Sequence, residues 1–274
     1  MLGKLIKYDL KALNRFLVII HAFLILSALA GRFFLTSRIQ FTEVSDTTSL
    51  MMMLCFTLYF LIVAGVVFGT EMIIAVKFYK NLFSNEGYLS RTLPVTPGQH
   101  LLAKTIAGTV WCIIDVVLIF LSLWIVIMTP SVTSAYNANK AEVLDQLGIT
   151  GDITPAFLIG SLVLIVLIGA VSSVVMIYAS IAMGQLFSNH RILGAVVSYF
   201  IITTVLSIFS LLVMTVTGFF SRYMPAASQN GTLDFNFAEY MIYLCKVTVG
   251  LSIATSILLY IFTYYILRKK TNLQ

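Results

Sequence analysis

Six apolar stretches dominate the chain, near Phe16–Leu35, Leu50–Val76, Thr105–Met128, Ala156–Phe187, Ile192–Phe220 and Tyr240–Leu267. Each is long enough to cross a hydrocarbon core of about 30 Å, for which about 20 apolar helical residues suffice. The second, fourth and fifth exceed that minimum, which predicts tilt or extension past the bilayer. None alternates polar and apolar residues as a membrane strand does, and a helix satisfies its own backbone groups in lipid. The pattern therefore predicts an all-α membrane protein with six transmembrane helices. Ahead of the first run, Leu2, Leu5, Ile6, Leu10 and Leu13 share one helical face with lysines beside it. That predicts a helix over 1–15 lying in the membrane interface. The charged start and Ala28-Leu29-Ala30 resemble a secretory signal. The long charged part and the continuation of the apolar run through Phe33-Phe34-Leu35 instead predict an uncleaved helix.

Composition agrees with this class. The chain is 59% hydrophobic and 10% charged, and its mean hydropathy is +0.99. Charge sets the expected orientation. With the N-terminus inside, Lys4, Lys7, Lys11, Arg15, Lys77, Lys80, Arg91, Lys104, Arg191 and Arg268–Lys270 face the cytoplasm, 12 cations against 5 on the other side. This positive-inside bias predicts a multi-pass membrane protein with both termini cytoplasmic. The net charge of +6 is thus a topology signal. No concentrated basic surface suggests nucleic acid, so the lipid bilayer is the expected surrounding.

Between the runs, 129–155 and 221–239 are expected outside, the first carrying a short helix over Asn137–Leu147 and the second forming a lid or re-entering the membrane. Ser188–Arg191 reads as a tight inward turn. No internal repeat or low-complexity tract divides the chain, which predicts one transmembrane domain over 1–274. Cys55, Cys112 and Cys245 lie in or beside apolar runs without CxxC spacing, so they read as small packing residues.

The longest polar segment expected in the cytoplasm is 77–104. It contains Glu86-Gly87-Tyr88-Leu89-Ser90-Arg91-Thr92-Leu93-Pro94-Val95-Thr96-Pro97 and runs on to Leu101-Leu102-Ala103-Lys104. With the Lys7-Tyr8-Asp9-Leu10-Lys11 start and the six-helix count, this segment resembles the permease subunits of the type-2 ABC exporter family. The resemblance implies a coupling helix between the second and third spans that rests in a cleft of a separate ABC ATPase subunit. It also implies a second permease copy or a paralogous permease, in a bacterial cytoplasmic membrane. ATP and magnesium would sit on the ATPase, with no cofactor on this chain.

The residues suit that role physically. Ser84 or Asn85 can cap a short helix whose first turn holds Glu86, favourable at the positive end of the helix dipole. Gly87 follows, Tyr88, Leu89 and Leu93 supply apolar anchors, Arg91 a charge-assisted contact, and Pro94 a stop. The bland alternative is a helix that merely tucks against the bilayer. Gly98–Thr105 nearly matches a phosphate loop, but Ala103 stands where the second glycine belongs and Lys104 enters a membrane helix. ATP hydrolysis is therefore expected elsewhere, and this chain is read as a transport subunit and not an enzyme.

Ionisable groups inside the apolar runs need a reason. Asp115 falls about 16 Å into the third helix at 1.5 Å per residue. It marks a translocation path or an interhelical pair, with Lys246 and Arg32 as candidate partners. Glu71 lies nearer the cytoplasmic end of the second helix and reads as wet or bridged to the basic interface. His21, without ligand spacing to His100 or His190, reads as a packing histidine. Gly65/Gly69 and Ser180/Gly184 are small pairs that permit close helix approach. The expected function is ATP-driven export of an amphipathic or hydrophobic cargo such as a peptide, drug or lipid. The alternative is an ion-coupled secondary transporter using Asp115 and Glu71, and an intramembrane enzyme is the more distant one.

Overall fold

A computed structural model describes residues 1–34, 46–84, 86–87, 92, 94–146, 154–187, 189–219 and 237–269. Its elements are α1 (Leu2–Phe34), α2 (Asp46–Phe83), α3 (Pro97–Ile127), α4 (Pro130–Gln146), α5 (Pro155–Gly184), α6 (Arg191–Val216) and α7 (Phe237–Lys269). All except α4 are long and apolar enough to cross a membrane, so the six expected spans are present. Their outward faces carry large apolar side chains such as Phe60, Phe120, Phe200 and Leu258. Exposure of this kind suits a hydrocarbon solvent.

The helix limits differ from expectation in four places. First, 1–15 is not set apart: α1 runs unbroken from Leu2 to Phe34. No Gly or Pro interrupts residues 4–30, and the seam Leu13, Leu17, His21, Leu24 and Ala28 stays buried along one face. Second, the expected 77–104 loop is mostly helix, because α2 continues to Phe83 and α3 begins at Pro97. Thr96 caps α3 by accepting from Gln99 N while the Gln99 side chain accepts from Thr96 N, and Pro97 fills the first turn. Third, the helix expected over Asn137–Leu147 starts at Pro130, after Thr129, whose hydroxyl accepts from Val132 N. Fourth, the turn after α5 takes six residues, 185–190. The same Thr-Pro device opens α5, where Thr154 accepts from Phe157 N. Of 221–239, expected as lid or re-entrant segment, residues 221–236 lie outside the described residues and 237–239 open α7.

The helices group into two compact units, Met1–Lys140 and Ala141–Asn272. In the first, α1, α2 and α3 pack together. Contacts between α1 and α3 keep a nearly constant sequence offset, 95 for Asp9 with Lys104, 94 for His21 with Asp115, and 93 and 96 for the Arg32 bonds. A constant difference means that the two helices run parallel. α2 runs antiparallel to them: Ile20 touches Gly69 and Phe16 lies under Lys77, while Tyr59 meets Ser122.

In the second unit α5 packs on α6 and on α7. Gly184 is the contact with α6: a Cβ there would stand 2.5 Å from Ala195 N and 2.7 Å from Arg191 O. Glycine is needed because both neighbours are backbone atoms that cannot turn aside. In return, the Phe187 ring covers Gly194. Cys245 Sγ donates to Ser161 O at 3.6 Å, joining α7 to α5. Beyond the end of α6, Thr217 bonds Tyr243, and Phe219 stacks with Tyr243.

Candidate functional site

The first unit concentrates its polar chemistry on the α1–α3 seam. On α3 the buried stripe reads His100, Lys104, Ala107, Trp111, Asp115, Ser122 and Val126, a spacing of three, four or seven that keeps one helical face inward. Three polar contacts join this stripe to α1 at different depths. At one end Lys104 Nζ donates to Asp9 Oδ1 at 2.8 Å, with side chains 8% and 14% exposed. Midway, His21 Nε2 lies 2.9 Å from Asp115 Oδ1, with side chains 5% and 6% exposed. At the far end Arg32 Nη1 donates to Ile125 O and Met128 O at 2.7 and 2.9 Å. These carbonyls are at the negative end of the α3 dipole, where a cation is favoured.

The depths match a bilayer. Asp9 and Arg32 are 23 residues apart in sequence. At 1.5 Å per residue that is about 35 Å, close to the roughly 30 Å hydrocarbon thickness. His21 falls near the middle.

At the Asp9 end the network reaches α2. With its amide nitrogen toward Glu86, Asn81 donates to Glu86 Oε2 at 2.9 Å, and its oxygen accepts from Lys104 Nζ at 3.1 Å. Asp9, Lys104, Asn81 and Glu86 thus form one chain of contacts, and Asp9 Oδ2 is buried without a partner. Gly87 is buried beside Glu86, and its N–H donates to Ser84 O at 2.7 Å. Pro94 is exposed. Tyr88, Leu89, Arg91 and Leu93 lie outside the described residues, as does Asn85. Between Phe83 and Pro97, Glu86, Gly87 and Thr92 are the helical positions among the described residues.

The groups singled out inside the spans are placed as follows. Asp115 forms an interhelical pair, and its partner is His21 rather than Arg32 or Lys246. Arg32 sits more than two turns farther along, bound to the end of α3. Lys246 is exposed on α7 in the other unit. Glu71 is half-buried on α2 and interacts electrostatically with Asp115 and Cys112, so it belongs to the midmembrane cluster and not to the basic interface. Gly69 contacts Ile20, whereas nothing lies within 4 Å of a Cβ at Gly65. The near-match to a phosphate loop, Gly98–Thr105, forms the first turns of α3, and its lysine is held by Asp9. All three cysteines are free thiols. Among the described residues, no group of three or more His, Cys, Asp or Glu could hold a metal ion.

Two polar contacts escape a reading of the sequence alone: Asp9 with Lys104, and His21 with Asp115. Their signal is the matched spacing, 12 residues from Asp9 to His21 and 11 from Lys104 to Asp115. It becomes visible only once α1 and α3 are known to be adjacent and parallel. Compared with known proteins, the chain matches no family model, no curated protein and no solved structure.

Proposed function

We propose that this chain is the membrane-spanning subunit of an ATP-driven exporter, with ATP hydrolysis on a separate subunit that docks at 84–96. The observation that supports the reading is the Asp9–Lys104–Asn81–Glu86 chain of contacts. It ties the start of the loop to three helices at once, α1, α2 and α3. It also joins the two stretches, 7–11 and 86–104, on which the family resemblance rests. A partner pressing on the loop would then move a braced three-helix body instead of bending a free segment. In this reading the loop faces the cytoplasm, and a second permease completes the path for an amphipathic or hydrophobic cargo.

The test is the combined variant Tyr88→Ala/Leu89→Ala/Leu93→Ala, expressed in native membranes and purified with its partners. The expected result is normal insertion, loss of a co-purifying ATP-binding subunit and loss of ATP-dependent transport. Normal insertion with the partner retained and wild-type transport rejects the loop as the docking element. Cargo flux in proteoliposomes driven by an ion gradient, with no ATPase present, would replace this reading by the ion-coupled one, which the buried His21–Asp115 pair would then serve.

A further inference from the structure

The His21–Asp115 contact carries information about protons as well as packing. His21 Nδ1 lies 2.7 Å from Leu17 O. A carbonyl oxygen only accepts, so Nδ1 carries a hydrogen. Nε2, 2.9 Å from Asp115 Oδ1, must then complete the second bond. A neutral imidazole protonated at Nδ1 presents only a lone pair at Nε2, and an ionised carboxylate presents only lone pairs as well. Bonding between the two requires one more proton, held as an imidazolium N–H or as a carboxylic O–H. In either form the pair is neutral overall, the state that hydrocarbon burial favours.

We infer that His21 and Asp115 together form a binding site for one proton, between Nε2 and Oδ1, at the middle of the membrane. The surroundings suit it. The Trp111 ring stacks on the imidazole with centroids 6.0 Å apart and planes 22° from parallel, and an aromatic face stabilises an imidazolium. From α2, Glu71 is the titratable group in electrostatic contact with the pair, and from α3 Cys112 lies beside it. Two further buried donors, Trp111 Nε1 and Thr70 Oγ1, have no hydrogen-bond partner. The Ile20–Gly69 contact sets Thr70 at the level of His21.

Release of the proton has a defined consequence. It leaves the Asp115 carboxylate opposite the Nε2 lone pair, two acceptors face to face with a charge in the membrane interior. An unpaired charge at that depth is strongly disfavoured. Exchange therefore has to accompany arrival of another cation or a shift of α1 against α3. Glu71 is the neighbouring acid whose charge acts on Asp115. This site stands independently of how the chain is powered.

Asp115→Asn separates a proton site from a mere packing bond. The amide can donate to Nε2, so the hydrogen bond survives without the extra proton. The full chain, carrying ¹⁵N-histidine and ¹³C-aspartate, is reconstituted in liposomes and measured by solid-state NMR. Signals are assigned by their loss in His21→Gln and Asp115→Asn. At neutral pH the wild type should show either His21 protonated on both nitrogens or Asp115 as the carboxylic acid, one proton per chain more than Asp115→Asn. A wild type with neutral His21 and ionised Asp115, matching the proton count of the variant, overturns the proposal.

Discussion

In the first unit α1 and α3 are joined at three depths by polar groups, Asp9 to Lys104, His21 to Asp115, and Arg32 to the end of α3. In the second, α5 and α6 meet where Gly184 lets two backbones touch, and Phe187 closes over Gly194. Lipid tails are as apolar as leucine, so burying apolar surface between helices gives little net gain in a membrane. Both solutions answer that problem. Close backbone approach maximises dispersion contacts, and it has one working geometry. Polar rungs are directional, and they depend on charge and protonation, so they can respond to a partner or a proton. Among the described residues, the buried side-chain ion pairs lie in the first unit.

The sharpest way to break the contrast is to remove one rung. Lys104→Met leaves Asp9 half-buried beside a chain without charge and takes a donor from Asn81. Loss of one partner of a buried pair costs roughly 3–5 kcal/mol. The expected outcome, read by hydrogen exchange in nanodiscs, is faster exchange in α1 and the first turns of α3 with α5 and α6 unaltered. Equal loosening of both units would show that the rungs do not hold the first one specifically.

A smaller effect, confined to the second unit, is expected from Gly184→Ala. The new methyl would meet Ala195 N and Arg191 O inside contact distance, so α6 must move. Overpacking of this kind typically costs about 1–3 kcal/mol. Thermal melting should fall, with exchange rising in α5 and α6 and not in α1. An unchanged melting temperature would mean that the α5–α6 contact is loose.

The smallest effect separates the two glycines of the GxxxG in α2. Gly65→Ala meets no atom within 4 Å and should leave melting unchanged within about 0.5 kcal/mol, the range for substitutions away from packed features. Gly69→Ala meets Ile20 Cδ1 at 3.2 Å, the end of a flexible side chain, and should cost slightly more. If Gly65→Ala proves the more damaging in membranes, that face of α2 is a seam with a second chain.

Much of the architecture was legible residue by residue. The six spans follow from runs of about 20 apolar residues, because hydrocarbon thickness acts on sequence directly. Helix starts were equally legible in principle. Thr96-Pro97-Gly98-Gln99 is a capping box with proline in the first turn, and Thr129-Pro130 and Thr154-Pro155 open helices in the same local way. Such caps involve four consecutive residues and need no tertiary partner. The continuation of α1 through residue 15 was less evident, since an amphipathic segment reads the same whether its apolar face meets lipid or a neighbouring helix.

Partner choice lay beyond local rules. Asp115 announced itself as an acid in an apolar run, yet its depth alone could not choose between His21 and Arg32, because hydropathy records how deep a residue lies and not which helix stands beside it. Only the adjacency of α1 and α3, parallel with an offset near 94, set His21 opposite Asp115, sent Arg32 to the end of α3, and brought Asp9 to Lys104. Sequence by itself determined the class, the number of spans and the positions that cannot rest unpaired in lipid. Tertiary structure decided which of them meet, because distance between helices arises from packing among residues about 94 positions apart, over which no local propensity acts.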